Sequence, residues 1–156
     1  IGNLTRDEAV ALMRDWRARV GDDGFMIIGI DLRKDAGLLN AAYDDNEGVT
    51  RAFIKNVLRR ANQELGAHFS VDAFGYVARY VEDAGRVEMH LISRTAQSVE
   101  VAGRRFEFAA GERLHIEHSH KYCLGETRML ATAAGFSPIA CYLDERAWFS
   151  VQVWGA

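Results

Sequence analysis

Between two helix-forming stretches the chain carries FMIIGIDL, Phe25 to Leu32, apolar on both alternating faces until Asp31. A strand that must hide both faces needs cover on both sides, and helices flanking a largely parallel sheet provide it. This feature restricts the chain to an α/β arrangement. It predicts a central parallel strand with Asp31 at its carboxyl end, where open α/β sheets place their ligand contacts.

The flanking segments extend the pattern. LTRDEAVALMRDWRARV predicts a helix with Thr5 as N-cap, Glu8 as its capping-box partner and Val10, Met13 and Trp16 on one face. After the strand, Leu38 to Tyr43 predict a short helix, and EGVTRAFIKNVLRRANQELG a long one that Gly66 stops. Val49, Phe53, Asn56, Val57, Arg60 and Glu64 lie near one stripe of it. From Tyr76 to Tyr122 apolar and polar residues alternate, with turn signals at EDAG, AGR and AAGE, which predicts an antiparallel meander. CLGETRMLATAAGF then returns to helix, and IACYLDERAWFSVQVW predicts a closing hairpin that turns at Asp144 to Arg146. A buried strand separated by a long insert from a helix and hairpin is expected of the second half of a doubly wound sheet.

Charge and composition exclude several partner classes. A net charge of -3, with acidic and basic residues scattered, lacks the cationic cluster that a nucleic acid requires. The longest apolar run is too short to span a bilayer, and the start has no signal-peptide order, so a cytoplasmic protein with no membrane partner is expected. Cys123 and Cys141 stand outside any C-x-x-C spacing and are expected to be buried thiols. The chain begins with Ile1 rather than Met, and removal of an upstream segment is the expectation.

The stretch LHIEHSHKY, Leu114 to Tyr122, concentrates the reactive side chains. His118 and His120 share a strand face, but a metal would need a third ligand from elsewhere, so no metal site is expected. Ser119 lies outside a G-x-S-x-G elbow and Cys123 has no evident orienting partner, so neither is expected to act as a nucleophile. Glu117 and Ser119 share the opposite face, about 6.5 Å apart along the strand. Oxygens hydrogen-bonded to the two nitrogens of an imidazole would stand about 6–7 Å apart, so a carboxylate and a hydroxyl at this spacing fit such a ring. The same residues, with Arg113, His115 and Lys121, also fit a solvated strand face. Tyr43 in NAAYDD fits a core-edge aromatic, Met89 in VEMHL strand packing, and Asn3 an ordinary loop amide before a helix.

Taken in order, IGNLTRDEAVALMR, IGIDLRKDAGLLNAAYDDNEGVTRAFIKNVLRRANQELG, RVEMHLISR, GERLHIEHSHKY and WFSVQVW resemble the S-adenosylmethionine-dependent methyltransferases that act on the α-amino group of histidine in ergothioneine biosynthesis. The resemblance implies an α/β fold: the second half of a class I methyltransferase doubly wound sheet with an inserted α+β substrate-binding lobe. Sheet portions would be residues 1–33 and 122–156, and the lobe residues 34–121. It implies further that Asn3 and Tyr43 hold the main-chain end of histidine, that Glu117 and Ser119 grip its imidazole, and that Met89 packs against it, with no catalytic residue forming a covalent bond and no metal.

Members of the family carry, ahead of the matching IGN, the glycine-rich loop and acidic residue that hold S-adenosylmethionine. No G-x-G-x-x-G-like loop occurs in this chain. The cofactor site is therefore expected mostly in the missing N-terminal part, the chain alone is expected to be inactive, and self-association or pairing with that segment is expected. The alternatives are a relative that methylates another aromatic amino acid or amine, and a module that binds an amino acid without catalysis.

Overall fold

The computed structural model describes all residues from Ile1 to Ala156, and they fall into two compact units. The first comprises Ile1–Asp35, Glu82–Arg86 and His118–Ala156; the second comprises Ala36–Val81 and Val87–Glu117.

In the first unit, helix α1 (Arg6–Val20) starts at Thr5 with the full capping box expected from Glu8. Its buried residues are Ala9 and Met13, whereas Trp16 is 41% exposed, so the inward face is rotated from the one read in the sequence. Strand β1 (Phe25–Asp31) pairs antiparallel with β8 (Phe149–Gly155), and β8 pairs antiparallel with β7 (Ser137–Leu143), giving the order β1-β8-β7. The central parallel position expected for β1 is thus corrected: within this chain it is the edge strand of its sheet, and the residue just after it, Leu32, makes an isolated parallel bridge with Tyr122.

Helices α1 and α4 (Leu124–Ala133) form a core with one face of the sheet, where Met13, Met26, Ile30, Tyr122, Leu130, Phe136 and Trp154 are buried. The opposite face stays bare. Phe25 is 65% and Ile27 73% exposed, and Ile139, Tyr142, Phe149 and Val151 are exposed with them. The Phe149 ring lies over Gly29, where an added Cβ would come within 2.7 Å of its Cζ. Asp144 closes the β7–β8 turn by accepting from the backbone N–H groups of Arg146, Trp148 and Phe149.

The second unit contains α2 (Ala36–Tyr43), α3 (Val49–Leu65) and strands β2 (Phe74–Val81), β3 (Arg86–Ser93), β4 (Gln97–Val101), β5 (Arg104–Phe108) and β6 (Arg113–His120). The simple meander is corrected too: β2, β3 and β6 form one sheet in that order, while β4 and β5 leave it as a separate hairpin. On α3 the inward residues are Ile54 and Leu58, which join Leu39, Phe74, Val87, Met89 and Leu91 in the core. Val49, Phe53 and Val57, from the stripe read in the sequence, are 64%, 69% and 45% exposed. This helix carries apolar residues on two faces, and periodicity alone does not say which turns inward. Asp45 accepts from the N–H groups of Val49 and Thr50 at the helix start, and these bonds hold its carboxyl at about 2.

Candidate functional site

Strand β6 carries the candidate pair, and it begins in the second unit while its last residues, from His118, belong to the first. Its N-terminal residues Arg113 and His115 are exposed, but Ser119 is 8% and Lys121, just beyond the strand, 1% exposed. The solvated-face alternative therefore does not describe this end of the strand.

Burial of an ammonium needs compensation, since leaving water costs it several kcal/mol. Lys121 obtains it from Asp31, whose Oδ2 lies 2.6 Å from Nζ. The same Nζ donates to Ser119 Oγ at 2.9 Å. Asp31 also takes Lys34 at 2.6 Å. Burial raises the affinity of Asp31 for a proton, but hydrogen bonds from Lys121 and Lys34 outweigh it and hold the carboxyl below the usual range. The carboxyl end of β1 thus bears an acid, as the strand pattern implied, but its partners are two lysines. Lys121 was visible in the sequence only as one more polar residue on a strand face; no local pattern links it to Asp31, 90 positions earlier in the chain.

Asn3 lies in the exposed loop before α1. Its neighbour Gly2 accepts from the His120 N–H at 2.7 Å, and a Cβ built on Gly2 would lie 3.5 Å from Ser119 Oγ, so this loop is pinned beside the end of β6. His120 is 6% exposed, neither ring nitrogen has a partner, and it meets the His118 ring edge-on at 5.0 Å. Burial, with Arg6, His118 and Arg86 nearby, lowers its pKa to about 4. The backbone is locked by a second contact: the Lys121 N–H donates to Gly85 O at 2.7 Å. Gly85 has φ +59°, and an added Cβ would meet the Arg33 guanidinium, which pairs with Glu126 at 2.7 Å.

The remaining candidates lie in the second unit. Tyr43, half-buried, ends α2, and its carbonyl accepts from the Tyr76 hydroxyl at 2.7 Å. Met89 is 3% exposed and belongs to the core. Glu117 borders an open groove of about 360 Å³ lined by Phe53, Asn56, Val57 and Arg60 of α3. The stripe read along α3 is therefore a groove wall. No group of three or more His, Cys, Asp and Glu side chains is gathered as a metal site, and Cys123 and Cys141 are both exposed, correcting the expectation of buried thiols.

The profile of the S-adenosylmethionine-dependent, histidine-specific methyltransferases matches residues 1–156. The chain belongs to that family. The histidine N-alpha-methyltransferase of Mycolicibacterium smegmatis is 47% identical over 127 residues, which are 78% of this chain and 39% of that protein. The enzyme of the same name from Mycobacterium tuberculosis is 36% identical across 98% of this chain and 48% of its own length. The ergothioneine biosynthesis protein 1 of Schizosaccharomyces pombe is 29% identical across 98% of this chain and 20% of that protein. Among solved structures, the CcbJ methyltransferase of Streptomyces caelestis aligns with 99% of this chain and 52% of its own at 15% identity and TM-score 0.49, a likeness too slight to bear on function. The chain spans about half the length, or less, of the curated relatives it matches. The family is described as S-adenosylmethionine-dependent, and the turn after β1 does not fit a nucleoside. The one connection after β1 is taken up by Arg33 and Lys34, paired with Glu126 and Asp31. No helix is long and apolar enough to cross a membrane.

Proposed function

We propose that this chain is the substrate-gripping part of an enzyme that transfers methyl groups from S-adenosylmethionine to the α-amino group of histidine. The observation that carries the reading is the family match over residues 1–156, which includes Asn3, Tyr43, Met89, Glu117 and Ser119. In this reading residues 1–33 and 122–156 are sheet portions of the methyltransferase and 34–121 its substrate lobe. Asn3 and Tyr43 hold the main-chain end of histidine, Glu117 and Ser119 the imidazole, and Met89 borders the ring.

S-adenosylmethionine supplies the methyl group, and its site lies mostly in the portion of the relatives that this chain does not span. The protein's own residues form no covalent bond. They aim a neutral amine and keep water from it, so positioning carries most of the acceleration. Glu117 supplies selectivity, because a carboxylate accepts an imidazole N–H and is left unpaired by an amino acid without one. Calorimetry on the complete protein tests the substrate. Histidine should bind and tryptophan should fail to displace it; displacement by tryptophan would favour a relative that acts on another aromatic amine.

A further inference from the structure

The loop that carries Asn3 is closed by the Leu4 N–H on Ile1 O at 3.2 Å, and the start of α1 behind it is capped by Thr5 and Glu8 on one another. Neither set of bonds reaches beyond the first eight residues. Longer connections join the loop to the rest of its unit. Ahead of Asn3, Gly2 O accepts from the His120 N–H at 2.7 Å. Behind it, Arg6 reaches across the chain: Nη2 donates to Lys121 O at 3.3 Å and to Glu126 Oε1 at 3.2 Å, and the guanidinium carbon stands 3.7 Å from the centre of the Tyr122 ring. Both bonds are long, so the anchor depends on how firmly its acceptor is held. Glu126 is held on both oxygens. Oε1 also takes Arg33 at 2.7 Å, and Oε2 takes the Cys123 N–H at 2.7 Å where α4 starts. Burial raises the proton affinity of Glu126, but the Cys123 N–H, Arg6 and Arg33 outweigh it and keep the carboxyl below its usual range.

Stability alone does not account for an arginine at this place. Arg6 Nη1 is buried without a partner, a loss that an apolar side chain of similar length avoids. The rest of α1 is seated without it: Ala9 and Met13 are fully buried, and Arg14 and Arg17 donate to the carbonyls of Ala133 and Gly135. What Arg6 adds is a tie at the first turn, three residues after Asn3. We infer that Arg6, held by Glu126, is a positioning residue that fixes Asn3 for the substrate. This rests on reading Asn3 as a contact to the main-chain end of histidine, and every protein residue it uses lies in the first unit. Arg6 acts only through Asn3. When the loop is free to sample other placements, only the fraction with Asn3 correctly aimed binds, and the apparent affinity falls by that fraction.

A double-mutant cycle separates this role from a structural one. Histidine affinity of the complete enzyme is measured by calorimetry in Asn3→Ala, Arg6→Met and the pair, with binding of S-adenosylhomocysteine as the check on folding. Methionine keeps an apolar stem at position 6 and removes the donors. Arg6→Met should weaken histidine binding about fivefold while Asn3 is present, and by less than about twofold in the Asn3→Ala background. Glu126→Gln, whose amide accepts on one side only, should follow the same pattern. It replaces Arg6→Met in the cycle if that variant no longer binds S-adenosylhomocysteine. Losses of equal size in both backgrounds overturn the inference, because Arg6 then supports the fold at large rather than Asn3. If Asn3→Ala weakens histidine binding and Arg6→Met does not, the inference fails and the substrate contact stands. If Asn3→Ala leaves histidine affinity unchanged, the contact itself is wrong, and the inference falls with it.

Discussion

At the scale of single residues, the site depends on groups whose partners are fixed by the fold. Replacing Glu117 by Ala in the complete protein should weaken histidine binding by about 1.5–3 kcal/mol, the range for a charge-assisted hydrogen bond, with little effect on S-adenosylmethionine. Calorimetry with each ligand measures it, and an unchanged histidine affinity would return Glu117 to the groove wall. His120 gives a pH effect of known sign. Its folded pKa, about 4, lies below the roughly 6.5 of an unfolded histidine. As pH falls the unfolded chain takes the proton first, so the contribution to stability is complete above about 6.5 and is lost between there and about 4. Inside that window the folded-to-unfolded ratio should fall by up to about tenfold per pH unit, and His120→Phe should flatten the slope in urea titrations. Equal slopes would mean that this ring does not carry the effect. The placement of Glu117 and Ser119 on one strand was legible because alternation along a strand is a local property. Lys121 was not, because its meaning comes from Asp31, which only the tertiary fold brings to it.

The elements divide in the same way. The first helix was legible from its ends: Thr5 and Glu8 satisfy one another's backbone groups, a signal contained in four residues. Thr5→Ala should cost about 1 kcal/mol, read from the urea midpoint; an unchanged midpoint would mean that packing alone fixes the start of α1. The closing hairpin was equally legible, since Asp144 organises its turn locally. The neighbour of β1 was not. An apolar strand announces that both faces want cover, but its partners are set by chain far away, and within these residues it finds only β8. The departure of β4 and β5 from the larger sheet was hidden for a related reason: period-two alternation marks strands without assigning them to a sheet.

At the scale of the whole molecule, the bare face of the β1-β8-β7 sheet is the feature that most needs an explanation. Helices cover one side, while Phe25, Ile27, Tyr142 and Phe149 stand exposed on the other, and β1 has an open edge. Such a surface attracts another chain. Purified alone, this polypeptide should self-associate in light scattering and show no methyl transfer, and joining it to the remaining half that its relatives carry should give a dispersed species. A monodisperse monomer of the isolated chain would contradict that assignment of the bare face. The most direct test of the central claim is methyl transfer by the complete protein, with isotopically labelled S-adenosylmethionine and histidine, and the label located by fragment mass spectrometry. Label on the α-nitrogen of histidine, much reduced in Glu117→Ala, is the predicted result; label on another amino acid in preference to histidine, or on a ring nitrogen, would contradict it.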